Sequence, residues 1–82
     1  MEDKIKMPEY VERISKERDE IHERIEKLMK FIGSKKFNEL HELHKRYILL
    51  QSSIMISYEH ILNLRLHIEI ADNLVANQSS QI

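Results

Sequence analysis

The sequence predicts an all-α protein, a helical hairpin that self-associates through its longer second helix into a helical bundle. Two runs of residues repeat with alternating steps of three and four, the spacing that lines one face of a helix. The only glycine, Gly33, separates the two runs. One proline, one glycine and 33% charged residues are typical of long helices rather than of sheets. The first run is Val11, Ile14, Arg18, Ile21, Ile25, Leu28 and Ile32; the second is Leu40, Leu43, Tyr47, Leu50, Ile54, Ser57, Ile61, Leu64, Ile68, Ala71 and Val75.

The first helix is predicted over residues 8–32, after a flexible lead-in over 1–7. Pro8 suits the first turn of a helix, where its missing N–H has no partner to lose. Glu9 and Glu12 follow in that turn and complement the helix dipole. Five glutamates precede a basic residue by four positions, which predicts a solvated face with weak ion pairs. These pairs are Glu9/Arg13, Glu12/Lys16, Glu20/Arg24, Glu23/Lys27 and Glu26/Lys30.

The turn is predicted at Gly33, as a left-handed cap that other residues disfavour. Ser34 can cap the following helix through its hydroxyl. The longer helix is predicted over about 37–75, with a break near His41–His44 that would give a short connecting helix first. Residues 76–82 are predicted to fray, so residues 8–75 form the single hairpin domain.

The second helix is apolar on more than one side, which predicts a homo-oligomer. A lone hairpin cannot cover this surface, and exposed apolar area costs about 25 cal/mol per Å². A dimeric four-helix bundle is the simplest closure, and higher symmetric oligomers are also open. The apolar residues outside the seam are Ile48, Leu49, Met55, Ile56, Leu62, Leu66 and Ile70. The interface is predicted at Leu50, Ile54, Met55, Ile61, Leu62 and Ile68.

A mixed stripe on the second helix is the leading candidate for ligand binding. Its members, spaced so that they share a face, are Gln51, Met55, Tyr58, Leu62 and Arg65. Tyr58 offers a ring for stacking, and Arg65 offers a planar set of donors for phosphate. Gln51 can contact the polar edge of a base or a ribose. The alternative interpretation is a partly buried polar layer that fixes register between subunits.

Arg18 occupies an apolar-type position in the first run, so a buried arginine there must be paired. A bridge to a carboxylate such as Glu59 or Glu69 is one interpretation, and a phosphate contact is the other. Ser57 is the matching polar gap in the second run. If the helices are antiparallel, the gaps at Arg18 and Ser57 could line one pocket.

A basic cluster surrounds the turn, with Lys35 and Lys36 as its candidate ligand contacts. Its other members are Lys45, Arg46, His41 and His44. The cluster is either a solvated turn or a site of attraction for an anionic ligand or nucleic acid. His41 and His44 share a helical face, but no third or fourth metal ligand accompanies them, so we expect no metal and no cofactor.

Several function classes are disfavoured by composition. With one glycine there is no glycine-rich phosphate loop, and the serines lack the local signature of a nucleophile, so we expect no enzyme. A net charge of −1 argues against bulk attraction to nucleic acid, and the absence of cysteine excludes disulfides and thiolate zinc sites. No apolar run approaches the roughly 20 residues that span a bilayer, and the charged N-terminus lacks a signal-peptide core. We therefore expect a cytoplasmic protein without membrane partners.

Residues 21–68 resemble a family of small proteins encoded by tailed phages, including crAss-like phages. The residues that carry the resemblance are Ile25, Lys27, Leu28, Phe31, Ile32, Ser34, Phe37, Leu40, Leu49, Leu50, Gln51, Met55, Tyr58, Ile61, Leu62 and Arg65. In size, hairpin architecture and expected oligomerisation, the chain is also similar to phage anti-CBASS and anti-Thoeris sponges. Those proteins bind cyclic nucleotides or ADP-ribose derivatives between subunits without catalysis. The resemblance implies a phage protein that acts in the host cytoplasm.

Three hypotheses for function follow. The leading one is a non-enzymatic sponge for a host immune signalling nucleotide, a cyclic nucleotide or an ADP-ribose derivative, bound at a subunit interface. The second is an oligomeric helical adaptor that inhibits a host protein through an exposed apolar face. The third is a small nucleic-acid-binding dimer that uses the basic turn.

Overall fold

The protein is an all-α hairpin, as predicted. The computed structural model describes residues 7–79. The helices are α1 (Glu9–Ile32), α2 (Lys35–Asn38) and α3 (Glu42–Ser79). The predicted short connecting helix is confirmed as α2, whereas α3 extends beyond the predicted end at residue 75. The predictions for residues 1–6 and 80–82 lie outside the described residues. Within the described part of the chain, no helix has an apolar stretch long enough to cross a membrane.

Pro8 lies just before α1 rather than in its first turn. Its backbone is extended, with φ −58° and ψ 156°. Its carbonyl accepts hydrogen bonds from the amides of Val11 at 3.0 Å and Glu12 at 3.3 Å. Proline is well suited to this position because its own missing N–H would have no helical partner.

The turn differs from the prediction at Gly33, which is not left-handed. Its φ is −82° and its ψ is 3°, values that any residue can adopt. The Gly33 amide donates to the Met29 carbonyl at 3.1 Å. Ser34 makes the tight turn instead: its hydroxyl donates to the Phe31 carbonyl at 2.6 Å and accepts from the Phe37 amide at 3.3 Å. The predicted Ser34 cap is therefore confirmed, and the predicted need for glycine is wrong.

The Gly33→Ala substitution is expected to leave the protein folded and to raise its stability by about 0.4–1 kcal/mol. A Cβ atom at Gly33 would lie 3.7 Å from the nearest backbone oxygen, which is ordinary van der Waals contact. Alanine would therefore raise stability by reducing the conformational entropy of the unfolded chain, without strain in the folded one. Urea denaturation followed by circular dichroism measures the change, and a loss of more than about 1 kcal/mol would restore the left-handed interpretation.

The face of α1 that packs in the hairpin is the predicted one. Val11, Ile14 and Ile25 are buried on it. The core joins Val11 and Ile14 of α1 to Leu62 and Leu66 of α3. Near the turn, Phe37 is buried and meets Phe31 edge-to-face, with ring centroids 6.0 Å apart.

The face of α3 that packs on α1 is not the predicted seam. The seam residues of α3 point away from α1, whereas the off-seam residues Ser52, Leu62 and Leu66 are buried against it. Both sets repeat at helical spacing, so periodicity alone could not assign the inner face. The hairpin therefore uses the second apolar side of α3 and leaves the first side to solvent.

Polar contacts between the two long helices hold α3 antiparallel to α1. The Tyr10 hydroxyl donates to Glu69 Oε1 at 3.0 Å, and His22 Nδ1 lies 2.5 Å from Glu59 Oε2. The predicted bridge from Arg18 to Glu59 or Glu69 is wrong, since His22 and Tyr10 hold those carboxylates.

Arg18 is only half-buried and has other partners. It bridges to Asp19 at 3.0 Å and donates to Asn63 Oδ1 at 3.4 Å. The expected shared pocket with Ser57 is also wrong, because Ser57 is exposed on the far side of α3.

Candidate functional site

The hairpin leaves one side of α3 uncovered, and we call this side the outward face. Its members are Leu43, Tyr47, Leu50, Ile54, Ile61, Leu64, Ile68 and Val75, each 47–61% exposed. Monomeric soluble proteins rarely expose a contiguous apolar surface of this size, which marks it as an interaction surface. Four of the six predicted interface residues lie here: Leu50, Ile54, Ile61 and Ile68.

The other two predicted interface residues lie on the inner side of α3. Leu62 is fully buried in the hairpin core, so its assignment to a subunit interface is corrected. Met55 is half-buried and lines a groove between α1 and α3. Both residues were assigned to the interface because the sequence does not show which apolar side of α3 meets α1.

The groove between α1 and α3 combines cations with an apolar floor. Its lining residues are Arg24, Lys27, Leu28, Phe31, Gln51 and Met55, and its volume is about 370 Å³. The groove is shallow and largely open to solvent, so a single hairpin would cover only part of a bound small molecule. A charged rim, an aromatic ring and an amide are the groups that an anionic ligand with a flat base requires.

Arg24 connects this groove to the neighbouring one. It also lines a second depression with Tyr58, beside Glu17, Glu20 and Ile21. Within the described residues, Arg24 makes no hydrogen bond or ion pair, and the predicted pair with Glu20 does not form. Its guanidinium is therefore available to donate hydrogen bonds to an anion in the groove that it lines with Gln51.

Lys27 is the second cation of the groove. It forms the one predicted ion pair of α1 that is present among the described residues, to Glu23 at 3.5 Å. Both partners are well exposed, and an exposed pair of this kind contributes at most about 1 kcal/mol. Lys27 can therefore exchange Glu23 for a more strongly charged ligand at little cost.

The predicted ligand stripe is only partly brought together within one chain. Gln51 and Tyr58 both adjoin Arg24. Arg65 lies fourteen residues beyond Gln51 on the same helix, a separation of about 21 Å. One small ligand cannot contact both residues in a single hairpin.

The remaining predicted ligand residues lie elsewhere. Arg18 contacts Asn63, which is five residues from Tyr58 and therefore about 140° around α3 from it. Lys35 and Lys36 are exposed on α2, past the end of α1. Arg24 precedes that end by eight residues, or about 12 Å. These three residues do not join the groove.

Four residues of the groove were not predicted from the sequence: Arg24, Lys27, Leu28 and Phe31. The two cations were interpreted as partners of surface glutamates. Their positions relative to Gln51 depend on which face of α3 meets α1. Once the antiparallel register is known, the helical periodicity of α1 and α3 predicts that these residues lie beside Gln51.

His41 and His44 lie beside the turn, at the start of α3. His41 Nδ1 accepts a hydrogen bond from the Leu43 amide at 3.1 Å and so caps α3. Across the side chains that the structure describes, no three His, Cys, Asp or Glu residues are arranged to hold a metal ion.

The family model described as Sequestin matches residues 8–68, which include all of α1 and α2 and most of α3. No curated protein and no solved structure matches the chain significantly.

Proposed function

Because this chain belongs to the Sequestin family, we propose that it is a non-enzymatic protein that sequesters a host immune signalling nucleotide. The family name denotes sequestration, which requires tight binding without chemical change. The proposed ligand is a cyclic nucleotide or an ADP-ribose derivative. The proposed binding site lies at a subunit interface, as in the phage sponges that the chain resembles.

The observation that carries this proposal is the groove around Arg24. A nucleotide presents phosphates and a flat base, and the groove presents Arg24 and Lys27 beside Phe31 and Gln51. The guanidinium can bind phosphate through two parallel hydrogen bonds. Gln51 can contact the base edge, and Tyr58 on the other side of Arg24 offers a second ring for stacking.

The proposed setting is the cytoplasm of a bacterium infected by a phage. It rests on the resemblance to small proteins of tailed phages. A sponge acts by stoichiometry, so the protein must bind its ligand more tightly than the receptor of that signal does.

Recovery of bound nucleotide tests the proposal. The protein is incubated with a panel of cyclic dinucleotides, cyclic trinucleotides and ADP-ribose derivatives, and free ligand is removed by ultrafiltration. We expect one class of nucleotide to stay with the protein and to be released with unchanged mass when the protein is heat-denatured. A nucleotide released as a hydrolysed product would indicate an enzyme, and no retained nucleotide would contradict sequestration.

A second candidate function, an adaptor that inhibits a host protein, is favoured by the outward face of α3. Any of its apolar side chains that oligomerisation leaves open could bind a helix of a host protein. This function predicts an oligomer that forms a defined complex with one host protein and retains no nucleotide from the panel.

A further inference from the structure

We propose that a second copy of this chain covers the outward face, with the two α3 helices antiparallel, and that the partner's Arg65 completes the groove beside Gln51. The role of that groove in binding nucleotide rests on the proposed function above. The arrangement of the two copies rests on the outward face alone.

The outward face is large enough for a stable dimer. Its eight apolar residues are each about half exposed, and each leaves on the order of 100 Å² in water. Together they offer roughly 800 Å², the area per partner of a standard stable interface. The face points away from α1, so a second copy can approach it without opening the hairpin.

The sequence of this face matches itself when it is reversed. The midpoint between Leu50 and Ile68 is residue 59, and the midpoint between Ile54 and Leu64 is the same residue. A two-fold axis at this point therefore places Leu50 against the partner's Ile68. It also places Ile54 against the partner's Leu64, in layers that are apolar on both sides.

Charge favours the antiparallel order over the parallel one. A parallel dimer would place two basic turns side by side, each with Lys35, Lys36, Lys45 and Arg46. The antiparallel order separates the two turns, each of which also contains Glu39 and Glu42. The axis at residue 59 places each Arg46 level with the partner's Asp72. Like charges at close range raise the free energy of the complex, and opposite charges lower it.

The same axis makes the groove composite. Tyr58 lies one residue from the axis and midway between Gln51 and Arg65, which are seven residues away on either side. These residues flank the outward face on the side nearest the groove. Reversal about the axis therefore brings the partner's Arg65 close to Gln51. The chain's own Arg65 lies about 21 Å from Gln51, so the partner supplies the arginine that one chain cannot.

Disulfide trapping tests this arrangement without any ligand. The natural chain has no cysteine, so introduced thiols are the only ones present. Under mild oxidation, we expect the Gln51→Cys/Arg65→Cys double variant to form a covalent dimer, and each single variant to remain unlinked. A disulfide needs Cα atoms closer than about 7 Å, so no link can form within one chain.

A matched control has the same spacing on another side of α3. The Leu49→Cys/Asn63→Cys double variant should not form a covalent dimer, because both positions lie away from the outward face. Covalent dimers from each single variant at Gln51 or Arg65 would indicate a parallel pair and overturn the proposal. Equal linking of the test and control pairs would also overturn it.

Mixing two variants tests whether the groove takes a residue from each copy. Arg24→Ala and Arg65→Ala proteins are co-refolded in equal amounts and assayed with the same panel of cyclic di- and trinucleotides. In a composite site, half of the dimers are mixed and each has one intact groove. We therefore expect about a quarter of the wild-type binding sites to return. If both variants lose binding and mixing restores none, the proposed sharing is wrong.

The two proposals fail separately. Trapping of the double variant, with no nucleotide retained by the natural protein, would uphold the antiparallel pair and overturn the proposed function. Nucleotide retained by the natural protein, with a double variant that stays monomeric and unlinked, would do the reverse.

Discussion

The Arg24→Ala variant is expected to bind its cyclic nucleotide roughly 10- to 100-fold more weakly than the natural protein does. Arg24 is the cation that adjoins both Gln51 and Tyr58, and no partner within the described residues holds it. A hydrogen bond to a charged group contributes about 1.5–3 kcal/mol, which corresponds to this range of affinity. Isothermal titration calorimetry with the nucleotide retained from the panel measures the change.

Arg13→Ala is the matched control for this prediction. Arg13 is an exposed arginine on the same helix, far from the groove residues Gln51 and Met55. Its removal changes the net charge equally. Because salt screens charges at this distance, we expect the affinity to change by less than about twofold. Equal losses for both variants would mean that general charge, rather than the groove, attracts the nucleotide.

The Leu62→Ala variant is expected to lower the free energy of unfolding by about 2–5 kcal/mol. Leu62 is the one described side chain with no exposed surface, and it packs against Val11 and Ile14. A hairpin of this size has a small core, so the loss should unfold much of the protein at 37 °C. Thermal and urea denaturation at fixed protein concentration measure it.

Leu49→Ala provides the comparison, because Leu49 is 47% exposed on α3 and lies outside the core. Its expected effect is within about 0.5 kcal/mol. A loss at Leu49 as large as that at Leu62 would show that α3 packs on α1 through a different face. The inner side of α3 would then need to be reassigned.

The local features of the fold were predictable from the sequence. The buried face of α1 repeats Val11, Ile14 and Ile25 at helical spacing, with charged residues around it. The Ser34 cap also depends only on neighbours, since its hydroxyl bonds to Phe31 and Phe37. Features set by residues three or four apart can be found by periodicity and capping rules.

The choice between the two apolar sides of α3 was not predictable in the same way. Leu62 and Ile61 are both apolar and both belong to a helical repeat, yet one is fully buried and the other is 52% exposed. Their difference is decided by packing against α1, which involves residues about 45 positions apart along the chain. The error at Leu62 follows directly from this ambiguity.

For the same reason, the residues that α3 contributes to the candidate site could be predicted, and those that α1 contributes could not. Gln51 and Tyr58 could be placed on one face of α3 from their spacing. Arg24 and Lys27 join them only because the hairpin is antiparallel and in a particular register. Arg65 could be placed on the same face, but its distance from Gln51 along the helix argues for a second chain.

The most direct test of the central claim is native mass spectrometry of the unmodified protein, alone and with the nucleotide panel. The account predicts a dimer that gains whole-number masses of one class of cyclic nucleotide or ADP-ribose derivative. A monomer, or a dimer whose mass does not change with any member of the panel, would contradict it.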